Sequence, residues 1–282
     1  MRAAARVVRT ALDRAKQERK AWILRGLSTR APVVVLGTQK TGTTAIAALL
    51  AHATATRATL DIKSAIPAPG WKVLLQYGIG DFGDFVVEHA REFRAPLIKE
   101  PTLTYFFADV ARVFPRARYV FVQRHPLDTI RSVLNRLRLP GNLDQIDPKD
   151  WPELRTSPAW RVNLDTGWLG VRSGNYVEAL AQRWQLAGRT YLDHADQMIL
   201  VKYEDFRRAK EAVIADLATR LDLTVRRNIS DRVDVQFQPP GVATADYEAF
   251  FGHRNLAAAI EICAPVATAF GYDVGAFRSP PP

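Results

Sequence analysis

The ten residues from Val35 to Thr44, Val-Leu-Gly-Thr-Gln-Lys-Thr-Gly-Thr-Thr, constrain this chain more than any other stretch. Ahead of them, Pro32 opens an apolar run of Val33, Val34, Val35 and Leu36 that ends at Gly37, as a strand buried on both faces would. Behind them, Thr43 to His52 is rich in Ala and Leu and predicts a helix. A buried strand that turns through a Gly- and Thr-containing loop into a helix binds phosphate. The first helical N–H groups lack intrahelical acceptors and lie at the positive end of the helix dipole, and glycine lets the backbone close around an oxyanion.

The position of the lysine decides which kind of phosphate loop this is. A nucleoside-triphosphate loop, G-x-x-x-x-G-K-[ST], places lysine directly after its second glycine. Here Gly42 is followed by Thr43, and Lys40 stands two residues before the glycine, so the triphosphate pattern fails at its most diagnostic position. A lysine within the loop can lie beside the oxygen that bridges two anionic groups, where negative charge grows as the bridge breaks, which suits a sulfuryl donor.

Further buried strands are expected at Ala95 to Lys99, Arg118 to Gln123 and Met198 to Tyr203, with a helix from about Thr104 to Phe114 between the first two. Strand, helix and strand at that spacing predict a right-handed parallel crossover. Helices are also expected at Tyr176 to His194, 208–222 and 254–270. From Leu139 to Asn175 the periodicity breaks, and three of the six tryptophans (Trp151, Trp160 and Trp168) fall inside that segment, as in a binding lid. The predicted fold class is α/β: a P-loop-type parallel sheet flanked by helices, with an irregular Trp-rich lid over 139–175 and a C-terminal helical part. Arg124 stands at a strand end and Ser132 follows eight residues later on the next helix, so both can face a ligand above the carboxyl edge of the sheet, with Arg136 a turn further on.

Residues 39–44 (Gln39, Lys40, Thr41, Gly42, Thr43, Thr44) resemble the 5′-phosphosulfate loop of sulfotransferases that use 3′-phosphoadenosine 5′-phosphosulfate (PAPS). The Arg124 and Ser132 pair resembles the family's grip on the 3′-phosphate, Lys99-Glu100-Pro101 its lysine segment near the transferring sulfate, and Tyr203-Glu204-Asp205 the element whose tyrosine lies near the adenosine. The four segments run in the family's order over residues 33–206. The resemblance implies PAPS as donor, its 3′,5′-bisphosphate (PAP) as product, and no metal. It also implies a general base. The histidine of the aryl and steroid branch is missing, because Glu100 and Pro101 follow Lys99. The carbohydrate and tyrosyl branches use an acid after the first helix, and Asp61 is the only acid between Lys40 and Asp81, so Asp61 is the first choice and Glu100 the second. The Arg- and Gly-rich loop of the vertebrate cytosolic branch is absent, with Phe250 to Arg254 a loose substitute, which points to a bacterial or carbohydrate/tyrosyl-type branch.

Composition bounds the rest. With 282 residues, 48% of them hydrophobic, the chain is expected to form one domain over 1–282. No apolar run is long enough for a membrane span, and no export signal opens the chain, so a cytoplasmic protein is expected. Cys263 is the sole cysteine, and no zinc pattern is present. Of the net charge of +10, residues 1–30 carry nine Lys or Arg against two acids. The small excess left on the body suits a small polyanion better than nucleic acid. Residues 1–30 read as a basic helix packed on the body through Val8, Leu12, Ala15, Trp22 and Ile23, with weak membrane-surface contact as the lesser reading. The acceptor is expected to be a small molecule, glycolipid or carbohydrate. Two alternatives compete: a nucleotide kinase on the same fold, and a noncatalytic membrane- or nucleic-acid-associated protein acting through the basic helix. Pro280 to Pro282 are expected to fray.

Overall fold

The computed structural model describes residues 2–68, 70–235 and 246–275, with side chains from residue 9 onward. The expectation for Pro280 to Pro282, and the side chain of Val8, lie outside the described residues. Five parallel strands form one sheet: β1 Val33–Gly37, β2 Ala58–Leu60, β3 Leu97–Lys99, β4 Arg118–Gln123 and β5 Met198–Lys202, in the order β2-β3-β1-β4-β5. The helices are α1 Arg2–Ser28, α2 Thr43–Ala53, α3 Trp71–Gln76, α4 Phe82–Glu88, α5 Ala90–Phe93, α6 Phe107–Val113, α7 Pro126–Leu137, α8 Pro152–Thr156, α9 Pro158–Arg161, α10 Tyr176–Asp193, α11 Tyr203–Arg208, α12 Lys210–Arg220 and α13 Tyr247–Ala269.

Strand alternation sorts the apolar side chains into two cores. Val33, Val35, Leu97, Val120 and Val122 point to one face, where Ile46 and Leu50 of α2 and Ile214 and Leu217 of α12 cover them. Val34, Leu36, Ile98, Tyr119 and Phe121 point to the other, against α4 to α7, α10 and α13. Every residue of β1 is buried, which is why its sequence is continuously apolar rather than alternating.

The crossover from β3 to β4 is parallel, as expected, and passes over β1, which lies between them. Two features depart from the sequence expectations. Residues 139–175 form a succession of short helical turns, including α8 and α9, rather than an irregular loop. Finally, α1 is packed only at its end. Ile23 and Leu27 are buried and Lys20 pairs with Asp81 and Asp84, but residues 9–19 are all exposed, and Leu12, Ala15 and Trp22 do not pack on the body. No helix among the described residues is long and apolar enough to cross a membrane.

Candidate active site

Parallel strands leave their carboxyl ends open where the order of connections reverses, and β1, at the centre of the sheet, ends there in the loop 37–42. Gly37 has no room for a side chain: a Cβ would lie 2.6 Å from the Val122 carbonyl oxygen. The buried Thr104 hydroxyl braces this turn, accepting from the Gly37 N–H at 2.9 Å and donating to its carbonyl at 2.9 Å. Lys40 carries a left-handed backbone at φ 71°, a conformation that side chains other than glycine adopt at a cost. The Arg124 guanidinium donates to the Lys40 carbonyl at 3.1 Å and holds the loop in place. Gly42, at φ 95°, caps α2 without a side-chain acceptor, so the first N–H groups of α2 remain open to an anion. Gly42 must be glycine for a second reason, because a Cβ there would meet the Tyr203 ring at 2.3 Å.

Above this edge opens a cavity of about 880 Å³. Gln39, Lys40, Gly42, Thr43, Thr44, Arg124, Ser132 and Tyr203 line one side of it. Thr41 is buried beneath and donates its hydroxyl to the Thr38 carbonyl at 2.8 Å, a structural role. Tyr203 lies under the Arg124 guanidinium, 4.6 Å from ring centroid to carbon. Burial, followed by the neighbouring Arg124 and Arg136 cations, lowers the Lys40 ammonium to about 8. Arg136 itself is exposed, lies over the Trp160 ring and is not among the residues lining the cavity.

Asp61, Lys99 and Glu100 line the other side. The Asp61 N–H donates to the Lys99 carbonyl at 2.8 Å, extending the β2–β3 ladder by one bond. Its backbone then turns to φ 75°, so that, like Lys40, it faces the cavity from a strained position. The Asp61 Oδ1 receives the Lys99 ammonium at 2.6 Å. Lys99 is only 2% exposed in its side chain, against 38% for Asp61. Glu100 is buried, and its oxygens are occupied. Oε2 accepts from Lys72 at 2.8 Å and from the Ile62 N–H at 3.2 Å, and Oε1 accepts from the Thr102 N–H at 3.1 Å. Burial alone would push this carboxyl up, but the Lys72 ammonium and the two backbone donors hold it below the usual carboxylate range.

Several lining residues were not read from the sequence. Asp128, Arg131 and Asn135 line the cavity from α7 together with Ser132; Asp128 and Asn135 stand four residues before and three after Ser132, a spacing that exposes them once Ser132 is chosen, and Arg131 stands three after Asp128. Lys72 and Gln76 come from α3, Trp160 and Asn163 from the 139–175 segment and Lys210 from α12; no contiguous motif announces them. Trp168 stacks on Phe106 and meets the buried Arg183 instead of lining the cavity. The loose substitute Phe250 to Arg254 lies at a kink of α13, where Gly252 has φ 67°. Among the described residues, no group of three or more His, Cys, Asp or Glu is placed to hold a metal ion.

The fit to known proteins covers most of the chain. The sulfotransferase domain family matches residues 30–238. No curated protein sequence matches it. Among solved structures, the fold is similar to sulfotransferase STF9 from Mycobacterium avium, with TM-score 0.54 and 16% identity over 89% of this chain and 79% of that one. It is also similar to a sulfotransferase from Alicyclobacillus acidocaldarius, with TM-score 0.51 and 17% identity over 89% of this chain and 99% of that one.

Proposed function

The chain belongs to the sulfotransferase domain family, and from that premise we propose that it transfers a sulfuryl group from PAPS to an acceptor hydroxyl on a small molecule, glycolipid or carbohydrate. The observation that carries this reading is that an open phosphate loop with its own lysine and a carboxylate, Asp61, line one cavity at the edge of the sheet. The cavity has the size and charge for the donor. It offers loop N–H groups, the Lys40 and Arg124 cations, and a buried Arg124 Nε with no hydrogen-bond partner within the protein.

In this reading the loop backbone, Gln39, Thr43 and Thr44 hold the 5′-phosphate, with Thr41 and Gly42 setting the shape of the loop. Arg124 and Ser132 hold the 3′-phosphate, Tyr203 lies against the adenine side, and Arg136 adds positive potential from outside the lining. The donor supplies the sulfuryl group and leaves with the S–O bond electrons on its phosphate oxygen. Lys40 offsets the charge that gathers there, and Lys99 serves the sulfuryl oxygens. The Asp61 oxygen not tied to Lys99 takes the acceptor proton as the acceptor oxygen bonds to sulfur. Glu100, already accepting three hydrogen bonds, is a positioning residue: through the Ile62 N–H it fixes the turn that presents Asp61. Residues 139–175 close the acceptor side through Trp160 and Asn163. The chemistry needs no metal, one domain suffices for it, and a cytoplasmic location matches the supply of such a donor.

The kinase alternative lacks support in the loop, where Thr43 follows Gly42. Calorimetry with PAP in a metal-free buffer tests the reading. It predicts tight binding without magnesium and much weaker binding of the analogue that lacks the 3′-phosphate. Equal affinity for the two nucleotides, or a requirement for magnesium, would sink it.

A further inference from the structure

The body of the fold accounts for only the last two turns of α1. Lys20 is anchored to Asp81 and Asp84, and Ile23, Leu24 and Leu27 pack on the core, whereas residues 9–19 stand clear of it. A helix that leaves the surface with no apolar contact needs another reason to be there. Its charge points to one. Arg9, Lys16, Arg19 and Arg25 have no acid partner among the described residues. Trp22, turned away from the docked face, is 70% exposed, and Leu12 is 59% exposed.

The stretch that anchors Lys20 also reaches the mouth of the cavity. Ile66 and Pro67 sit at the cavity lip, α3 follows, and Tyr77 and Ile79 then lead into Asp81. Ile66, Tyr77 and Ile79 are all exposed, Ile79 by 72%. Of the nine exposed large hydrophobic residues among the described ones, five (Leu12, Trp22, Ile66, Tyr77 and Ile79) therefore lie on α1 or on this one connecting stretch. Cationic side chains interleaved with an exposed tryptophan and isolated aliphatics match a bilayer interface with anionic headgroups. They match nucleic acid less well, because a polyanion alone does not cover exposed Ile or Leu.

We propose that α1 from Arg9 onward, together with Ile66, Tyr77 and Ile79, forms a docking surface for anionic lipid bilayers and holds the cavity mouth against the membrane. Binding is electrostatic first, through Arg9, Lys16, Arg19 and Arg25 distributed around α1, and apolar second, through Trp22 and Ile79. Neither step involves the donor or the transfer chemistry, so the surface stands or falls independently of the sulfuryl-transfer reading.

The test is flotation of the full chain with vesicles of equal parts phosphatidylglycerol and phosphatidylcholine, compared with vesicles of phosphatidylcholine alone. Partition into the anionic vesicles is expected, falling steeply as ionic strength rises from about 0.1 M to about 1 M, where the screening length shrinks from about 10 Å to about 3 Å. At about fivefold per charge, the combined change Arg9→Glu, Lys16→Glu and Arg19→Glu should lower partition by a hundredfold or more. Trp22→Ala should cost about tenfold, and Ile79→Ser a smaller factor. Brominated lipid should quench the wild type more than Trp22→Phe. Circular dichroism and melting temperatures of the variants should match the wild type, because the altered residues touch no core contact. Equal partition into neutral vesicles, an unaffected triple variant, or binding to a DNA duplex without binding to vesicles would each overturn the proposal.

Discussion

On the side of the cavity proposed for the donor, burial and then the nearby Arg124 and Arg136 cations lower the Lys40 ammonium, whereas on the side proposed for the acceptor each buried lysine meets a carboxylate, Lys99 with Asp61 and Lys72 with Glu100. The first side gathers like charge at a cost that a bound polyanion would repay. The second is balanced before any ligand arrives, and it spends its hydrogen bonds on holding one turn of backbone in place. Donor residues should therefore respond to substitution through nucleotide affinity and leaving-group charge, and acceptor residues through turnover with the nucleotide still bound.

The largest effect should break the acceptor side alone. Asp61→Asn keeps the shape, and asparagine tolerates the left-handed backbone at φ 75°. PAP affinity should stay normal while turnover falls by a factor of about 10² to 10⁴. Glu100→Gln should show another pattern: a lower melting temperature, from the buried Lys72 left without its anion, and a turnover loss of about tenfold. If Glu100→Gln matches the loss expected of Asp61→Asn while Asp61→Asn stays within tenfold of wild type, the two roles are exchanged.

Next in size is Lys40→Ala, which removes the charge proposed to face the leaving oxygen and should lower turnover by about 10² or more. Single-turnover measurements at saturating donor check it, and near-normal rates would remove Lys40 from the chemistry. Smaller again are Arg124→Ala and Ser132→Ala. A lost charged contact to the 3′-phosphate should weaken PAP binding by about tenfold to a hundredfold at Arg124, and a lost neutral one by less at Ser132. Acceptor KM at saturating donor should be unchanged in both. An equal rise in acceptor KM would mean that the two sides are not separable.

The same contrast explains what the sequence made legible. The side proposed for the donor is written in contiguous stretches, because one strand, one loop and one helix supply most of it, and β4 follows its expected bounds of Arg118 to Gln123. The acceptor side is assembled from α3, the turn after β2 and the 139–175 segment, so Lys72, Gln76 and Asn163 carry no local pattern. Asp61 is singled out by the family resemblance, not by spacing, and the structure places it at the cavity. The strand β2 escaped notice because it has three half-buried residues at the sheet edge and pairs only with β3. Sheet order is equally invisible locally, since nothing in residues 95–123 says that β1 runs between β3 and β4. Periodicity gave α1 an apolar stripe, but it could not say how little of the body lies beneath it.

The smallest effect concerns a proton on the donor side. With its ammonium lowered to about 8 by burial and by Arg124 and Arg136, Lys40 is partly neutral just above that pH in the donor-free protein. A bound bisphosphate brings negative charge beside it, favours the ammonium and raises its pKa. Binding at pH 8.5 should therefore take up a fraction of a proton, visible as a dependence of the calorimetric enthalpy on the ionisation enthalpy of the buffer. By the same linkage, PAP affinity should be level between about pH 7 and pH 8, above the second pKa of its phosphates at about 6, and decline above pH 8 by less than about tenfold per pH unit. Folding stability shows the opposite sign. The folded value lies below the unfolded value of 10.5, so the unfolded chain binds more protons between about 8 and 10.5. Relative to Lys40→Met, the donor-free wild type should gain stability across that window as the buried charge is released. In Lys40→Met the proton uptake should vanish; if it persists unchanged, another group titrates, and the burial of Lys40 beside Arg124 and Arg136 is not what sets the pH response of the loop.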